Sequence, residues 1–169
     1  MAEKDSHCSY CGRPFHLDQP WPRKCETCGE ISFRNPLPVA VVLVPVDGGL
    51  LLVRRGIEPQ PGRLALPGGY INLGETWQEA GARELFEETG IVIEPHELQI
   101  FGVHSNHDRS FLLIFGLAKK RSADSLPAFK PNEETIECVI QHTPTELAFP
   151  LHTQVMREFF EARGPRRGP

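Results

Sequence analysis

Two groups of side chains in this sequence could do chemistry. One is a trio of glutamates, Glu84, Glu87 and Glu88, spaced i, i+3 and i+4. On an α-helix those positions share one face, and three carboxylates on one patch repel one another. A hard divalent cation such as Mg²⁺ relieves that repulsion, because it takes oxygen ligands and keeps several waters. Arg83 can reach Glu79 and Glu87, four residues to either side, and so hold a carboxylate in position. The other group is four cysteines in two C-x-x-C pairs, Cys8/Cys11 and Cys25/Cys28, with thirteen residues between them. Each pair can form a tight turn that aims two thiolates at one tetrahedral Zn²⁺, and Gly12 and Gly29 suit the backbone turn that follows. Four thiolates leave no open coordination position, so the zinc is read as structural. So short a segment buries too little apolar surface to fold without a metal. His7 and His16 read as surface residues.

The glutamates need a helix, and its signals are present. Thr76 is a good N-cap, Glu79 three residues on completes a capping box, and Gly90 supplies a left-handed stop. The predicted helix is Trp77–Thr89, entered by a glycine-rich turn at Pro67-Gly68-Gly69. Trp77, Ala80, Gly81 and Leu85 lie opposite the carboxylates, and the small residues at 80–82 predict close packing on a sheet. The strands around it are read from apolar runs. Residues 39–46 form a buried strand after a stiff, proline-bearing linker at 34–38. Asp47-Gly48-Gly49 is a hairpin turn and 50–55 the return strand. Arg54 and Arg55 end that strand before a Gly/Pro-rich loop, where either could meet a phosphate. Residues 91–93, 98–104, 111–118 and 138–141 are further strands. The turn at 104–109 carries two histidines and an aspartate and is read as a solvated hairpin loop rather than a second metal site. Cys138 is an ordinary core thiol. Leu151, Val155, Met156, Phe159 and Phe160 form the core stripe of a last helix.

The stretch 69–91 resembles the signature of the Nudix hydrolases, G-x5-E-x7-R-E-U-x-E-E-x-G-U with U aliphatic. Gly69, Glu75, Arg83, Glu84, Leu85, Glu87, Glu88, Gly90 and Ile91 fill all nine specified positions over 23 residues. The resemblance implies an α/β fold, a Nudix α/β/α sandwich with a mixed sheet, preceded here by a small zinc ribbon. It implies hydrolysis of a nucleoside diphosphate linked to another moiety, with Mg²⁺ or Mn²⁺ held by Glu84, Glu87, Glu88 and the carbonyl of Gly69. Arg83 would orient Glu87 and Glu75 would lock the turn. Many members carry an acidic residue outside the box that binds a further metal or activates water. Glu134 is the candidate, with Glu133 and Glu137 as alternates. Leu64 departs from the tryptophan many members carry there, which touches packing more than chemistry.

A zinc ribbon joined to such a domain is similar to two groups. NADH pyrophosphatases carry S-Q-P-W-P-F-P-x-S after the box, which has no counterpart here. One ADP-ribose group has a proline where Asn106 stands. The stretches 31–36, 134–138 and 147–149 look more like a shorter group acting on FAD or ADP-ribose. The expected substrate is thus a dinucleotide (FAD or NADH) or ADP-ribose, cut to release AMP. The rivals are a ligand-sensing, non-catalytic regulator, disfavoured by the intact glutamates, and an RNA-end (cap) processing hydrolase.

The 169 residues allow one domain with a real core plus a small appendage. The expected division is a ribbon at 1–34, a hydrolase domain at 35–163 and a disordered tail at 164–169. With 18 basic and 22 acidic residues the net charge is −4, which argues against nucleic acid as a general partner. No apolar run is long enough to span a membrane and no signal core opens the chain, so a soluble cytoplasmic protein is expected. Paired C-x-x-C spacing in a reducing compartment favours metal over disulfides. A homodimer is expected only by resemblance.

Overall fold

The computed structural model describes residues 4–16 and 18–162, so the tail expected at 164–169 lies outside the described residues. The chain divides into two compact units at Pro36/Leu37.

The first unit is built from two copies of one turn. Cys8 N–H donates to Arg13 O (2.8 Å) and Gly12 N–H to Cys8 O (3.0 Å). In the second copy Cys25 N–H donates to Glu30 O (2.8 Å) and Gly29 N–H to Cys25 O (2.9 Å). Gly12 and Gly29 have φ of 71° and 78°, left-handed values that carry little penalty only for glycine. A two-residue ladder, β1 (Arg23–Lys24) against β2 (Ile31–Ser32), closes the second turn.

The second unit holds two sheets and two helices. Strand β3 (Leu37–Leu43) is followed by β4 (Pro45–Val46) and β5 (Gly49–Arg55). Next come β6 (Leu64–Ala65), β7 (Gly68–Tyr70), helix α1 (Trp77–Thr89), β8 (Gln99–Ser105) and β9 (Phe111–Leu117). Strand β10 (Thr135–Gln141) and helix α2 (Pro150–Glu161) complete it. One sheet runs β7-β3-β9-β8, mixed because β3 and β9 are parallel while the outer pairs are antiparallel. The other runs β10-β5-β4, with β6 also on β5.

Strand β3 explains why its sequence is continuously apolar. Val41 and Leu43 face a core completed by Val155, Met156 and Phe159 of α2. Val42 and, just past the end of the strand, Val44 face a second core with Ala82 and Leu85 of α1. Alternate residues point to opposite faces, so a strand with a helix on each side must be apolar at every position. This is the α/β/α sandwich. Gly81 of α1 lies close to the sheet: a Cβ there would stand 3.0 Å from Leu98 and 3.2 Å from Val42.

Some elements differ from the sequence reading. The strand expected at 39–46 begins earlier, at Leu37, and breaks after Leu43, where Pro45 lacks the N–H that would continue the ladder. Residues 91–93 belong to no strand: Ile91 and Ile93 are buried and Val92 is exposed, but Arg121 Nη2 bonds Val92 O (3.1 Å) where a neighbouring strand would stand. The last strand starts at Thr135 rather than Cys138, and its register shifts between Thr135 and Glu137.

Candidate functional site

Helix α1 is capped as its sequence dictates. Glu79 N–H donates to Thr76 Oγ1 (3.2 Å), while Thr76 N–H donates to Glu79 Oε2 (2.7 Å). The Thr76 N–H, and to a smaller extent its hydroxyl, hold the Glu79 carboxyl below its usual range. Gly90 ends the helix at φ 75°.

The cap commits Glu79, so the expected pairing of Arg83 with it is replaced. Arg83 instead grips Glu75 through two parallel bonds, Nε to Oε1 (2.7 Å) and Nη2 to Oε2 (3.0 Å). That pairing pulls Glu75 down to about 2. Arg83 Nη1 also donates to Glu84 (2.7 Å) and Glu87 (3.0 Å), and Nη2 to Tyr70 O (3.0 Å). One guanidinium thus ties the loop before α1 to two of the three helix carboxylates and to β7.

The three glutamates share a helix but not an environment. Glu87 is the most open, with half its side chain exposed, and Glu84 is largely covered. Glu88 is 5% exposed. Its Oε2 accepts from Gly68 N–H (2.9 Å), yet burial pushes its carboxyl up to about 8, with the charges of Glu84 and Glu134 adding to the rise. Burial also raises Glu84, against the lowering effect of Arg83. The Gly68-Gly69 entry is shaped to these acids. At Gly69 an added Cβ would fall 2.4 Å from the Glu84 carboxyl carbon, and at Gly68 one would fall 2.3 Å from Ala40 O. The glycine-rich turn expected at 67–69 is in fact the start of β7, with Gly68 and Gly69 paired to Val41 and Ala40, and only glycine lets this strand lie between β3 and the carboxylates.

Glu134 stands just before β10. Its charge raises both Glu84 and Glu88, which places it among the electrostatic neighbours of the helix acids. Arg54 is bound to Glu137 (2.6 Å) and Gly62 O (3.0 Å). Arg55 donates to Pro59 O (2.7 Å) and lies 5.1 Å over the Phe149 ring. Of the two, Arg55 is the one whose charge reaches Glu88, lowering it.

Sequence reasoning missed two residues. His152 is buried on α2 and its Nδ1 accepts from Leu66 N–H (3.2 Å), fixing the segment that leads into Gly68. A histidine beside the apolar stripe of the last helix was the available signal. Asn132 bridges α1 and β10, and nothing local in the sequence marks it. The turn after β8 is closed by Asp108 Oδ1, which accepts from Ser110 N–H (3.0 Å) and Oγ (2.6 Å), so its aspartate is committed to the loop. Cys138 is half-buried and burial pushes its thiol up to about 11.

The residues fit two kinds of metal. The sulfurs of Cys8, Cys11, Cys25 and Cys28 all lie within 4.8 Å of one another, with Cys8–Cys28 at 3.7 Å and Cys11–Cys25 at 3.6 Å. Sulfurs about 2.3 Å from a tetrahedral zinc stand about 3.8 Å apart, so the spacing suits Zn²⁺. The amides of Cys11 and Tyr10 draw the Cys8 thiol down to about 6, toward the thiolate a metal needs. Among the described residues this is the only group of three or more such ligands gathered so closely. The glutamate oxygens are spread wider, two of them drawn to Arg83. What suits them to a hard divalent cation is their chemistry: oxygen donors only, with the Glu84 and Glu88 carboxyls raised by burial.

A glutamate-bearing helix on an α/β/α sandwich, entered by a glycine loop and preceded by a four-cysteine module, defines a recognisable class of protein. Residues 34–162 match the NUDIX domain, and the chain belongs to that family. It is 33% identical over 88 residues to an NAD-capped RNA hydrolase NudC of Edwardsiella ictaluri, covering 52% of this chain and 34% of that protein. It is 42% identical over 77 residues to an ADP-ribose pyrophosphatase of Methanocaldococcus jannaschii, covering 46% of this chain and 44% of that one. The matches thus span less than half the length of these relatives. Among solved structures, a NUDIX hydrolase from Nitrosomonas europaea has a TM-score of 0.76 at 25% identity, over 94% of this chain and 92% of its own. A bifunctional NMN adenylyltransferase/ADP ribose pyrophosphatase from Francisella tularensis shares the fold, with a TM-score of 0.65 at 24% identity over 78% of this chain and 43% of its own. Among the described residues no helix is long and apolar enough to cross a membrane.

Proposed function

We propose that this protein hydrolyses the diphosphate linkage of a nucleoside diphosphate derivative, using Mg²⁺ or Mn²⁺ and releasing AMP. The substrate is a dinucleotide such as FAD or NADH, or ADP-ribose. The observation that carries the reading is the placing of Glu88 at Gly68 and Glu84 at Gly69 of β7, both carboxyls raised by burial, with the Glu134 charge adding to each rise. The names of the two sequence relatives support the substrate class, since an NAD cap and ADP-ribose both hold a diphosphate between two larger groups.

Glu84, Glu87, Glu88 and the Gly69 carbonyl would hold the divalent cation. When bound, the ion supplies charge neutralisation of the diphosphate and a lowered pKa for water. Arg83 fixes Glu84 and Glu87 at its Nη1, and Glu75 anchors Arg83 from the other side. Glu134, exposed beside the buried acids, takes the proton from the attacking water at a carboxylate oxygen. Oxygen–phosphorus bond formation by that water breaks the anhydride bond, and the second phosphate leaves with its electron pair. The four cysteines hold a structural Zn²⁺, and free thiols grouped for a metal favour a reducing, cytoplasmic setting.

The test is a product screen. Purified protein with Mg²⁺ is offered FAD, NADH, ADP-ribose, nucleoside triphosphates and a capped RNA. AMP from a dinucleotide or from ADP-ribose is the expected result. Saturable ADP-ribose binding with no turnover of any compound would overturn it in favour of a sensor. Turnover of capped RNA alone, with steep salt dependence of binding, would overturn it in favour of an RNA-end processor.

A further inference from the structure

Asn132 lies in the loop before β10, and every polar atom of its side chain is used. Its Oδ1 accepts from two successive backbone amides, Glu134 N–H (3.0 Å) and Thr135 N–H (2.7 Å). Its Nδ2 donates to the main-chain O of Glu87 in α1 (2.9 Å). Its own N–H donates to Thr135 O (2.9 Å). Reversing the amide would set a donor against two donors and an acceptor against an acceptor, so the bond pattern allows one orientation only. The side chain therefore joins the peptide of Glu134 directly to the helix that carries Glu84, Glu87 and Glu88.

The rest of the loop is tied down on another side. Gly56 N–H donates to Glu134 O (2.7 Å), and Thr135 pairs with Arg55 at the start of the β10 ladder. Those bonds fix Glu134 relative to β5. Among the described residues of this loop, the hydrogen bonds that fix it relative to α1 are those of the Asn132 bridge. The residue is exposed and contributes little to the core, so its bonds act on placement more than on burial.

We infer that Asn132 is a positioning residue that sets the Glu134 carboxylate against the glutamate face of α1. This rests on the reading that Glu134 takes the proton from water. A proton acceptor displaced by an ångström loses much of its effect, so the amide bridge acts on turnover and leaves substrate affinity alone.

The experiment compares Asn132→Ala and Asn132→Asp in the wild-type background and in Glu134→Gln, using whichever substrate the product screen identifies. Glu134→Gln alone is expected to lower kcat about 100-fold. Asn132→Ala is expected to lower kcat about tenfold with KM unchanged, and to have no further effect in Glu134→Gln. Asn132→Asp keeps both acceptor bonds that shape the loop but sets a carboxylate oxygen against the Glu87 carbonyl, so it breaks the link to α1 while preserving the turn if the alanine variant does not fold. It is expected to lower kcat several-fold, again only where Glu134 is present. Equal losses in both backgrounds would make Asn132 merely structural and overturn the inference. So would wild-type kcat in either folded Asn132 variant, or in Glu134→Gln. Failure of the hydrolase reading is seen separately, because the wild-type protein would then turn over none of the compounds.

Discussion

In the first unit four sulfurs come from two copies of one short turn, each closed by its own backbone hydrogen bonds. In the second unit the carboxylates come from α1, where Glu88 and Glu84 meet Gly68 and Gly69 of β7, and from the approach to β10, where the Glu134 charge acts on both. The cysteine site is decided within a few residues, while the glutamate site exists only once the sandwich has closed. The electrostatics differ in the same way. Local amides lower Cys8 and Cys25 toward the thiolate, although burial and the neighbouring thiols push Cys28 up to about 12, whereas burial raises both Glu84 and Glu88 away from the carboxylate. A metal in the first site completes a fold that has little else. A metal in the second relieves a charge conflict that the surrounding core is strong enough to hold without it.

Metal removal breaks that comparison most sharply. Stripping zinc should release one Zn²⁺ per chain and unfold the first unit altogether, because a segment of its size has no comparable core to fall back on. Trp21 reports on it directly: it lies edge-on to Phe15 at 6.1 Å and under the Arg23 guanidinium at 4.6 Å. Its fluorescence and the amide protection of residues 8–30 should be lost while the core around Phe115 stays protected. Retained protection of the cysteine turns in zinc-free protein would show the two sites to be less different than argued.

Substituting the buried acid tests the other side. Glu88→Gln keeps an oxygen for Gly68 N–H and removes the buried charge. Turnover should fall about 100-fold or more, the size expected when an electrostatic role is lost. The metal-free variant should melt no lower than metal-free wild type. Near-normal kcat in the folded variant would remove Glu88 from the mechanism, and a lower melting temperature would show its charge to be compensated after all.

The legibility of the two sites follows from this contrast. The cysteine turns could be read from spacing and two glycines because every interaction that shapes them is local. The cap, stop and spacing of α1 were equally local and stand as expected. Burial was not visible. The spacing put Glu84, Glu87 and Glu88 on one face but could not show that Glu88 points into the core while Glu87 faces water. Of the two partners expected for Arg83, Glu87 is bonded as expected, while Glu79 is taken by the cap and replaced by Glu75, which becomes available only when the loop folds back. Residues 91–93 have the apolar alternation of a strand, but a guanidinium rather than a strand lies alongside. Asn132 and His152 act through contacts far along the chain, which no local pattern records.

The smallest effect expected is a difference in the sign of pH dependence. Glu88 in the metal-free fold is raised from an ordinary 4.5 to about 8 by burial. The folded state therefore holds this proton more tightly than the unfolded chain does. The stability it contributes is fully present below about pH 4.5 and is lost as pH rises through 8, at a slope of roughly 1 kcal/mol per pH unit. The zinc-loaded ribbon has the opposite sign, because protons compete with the metal for thiolates and its stability is lost as pH falls. His152, drawn down to about 3 by burial, also favours the fold at higher pH, with its effect complete above about pH 6.5. Melts are thus best compared between pH 6.5 and 8, in protein that keeps zinc and lacks Mg²⁺, as wild type minus Glu88→Gln. That difference should grow more negative with pH for the second unit, turn positive when Mg²⁺ is added because only wild type keeps the full ligand set, and leave the Trp21 transition unmoved. A difference that is flat with pH in the absence of Mg²⁺ would mean that Glu88 is already matched by positive charge, and that the second site, like the first, is made ready for its metal by the protein alone.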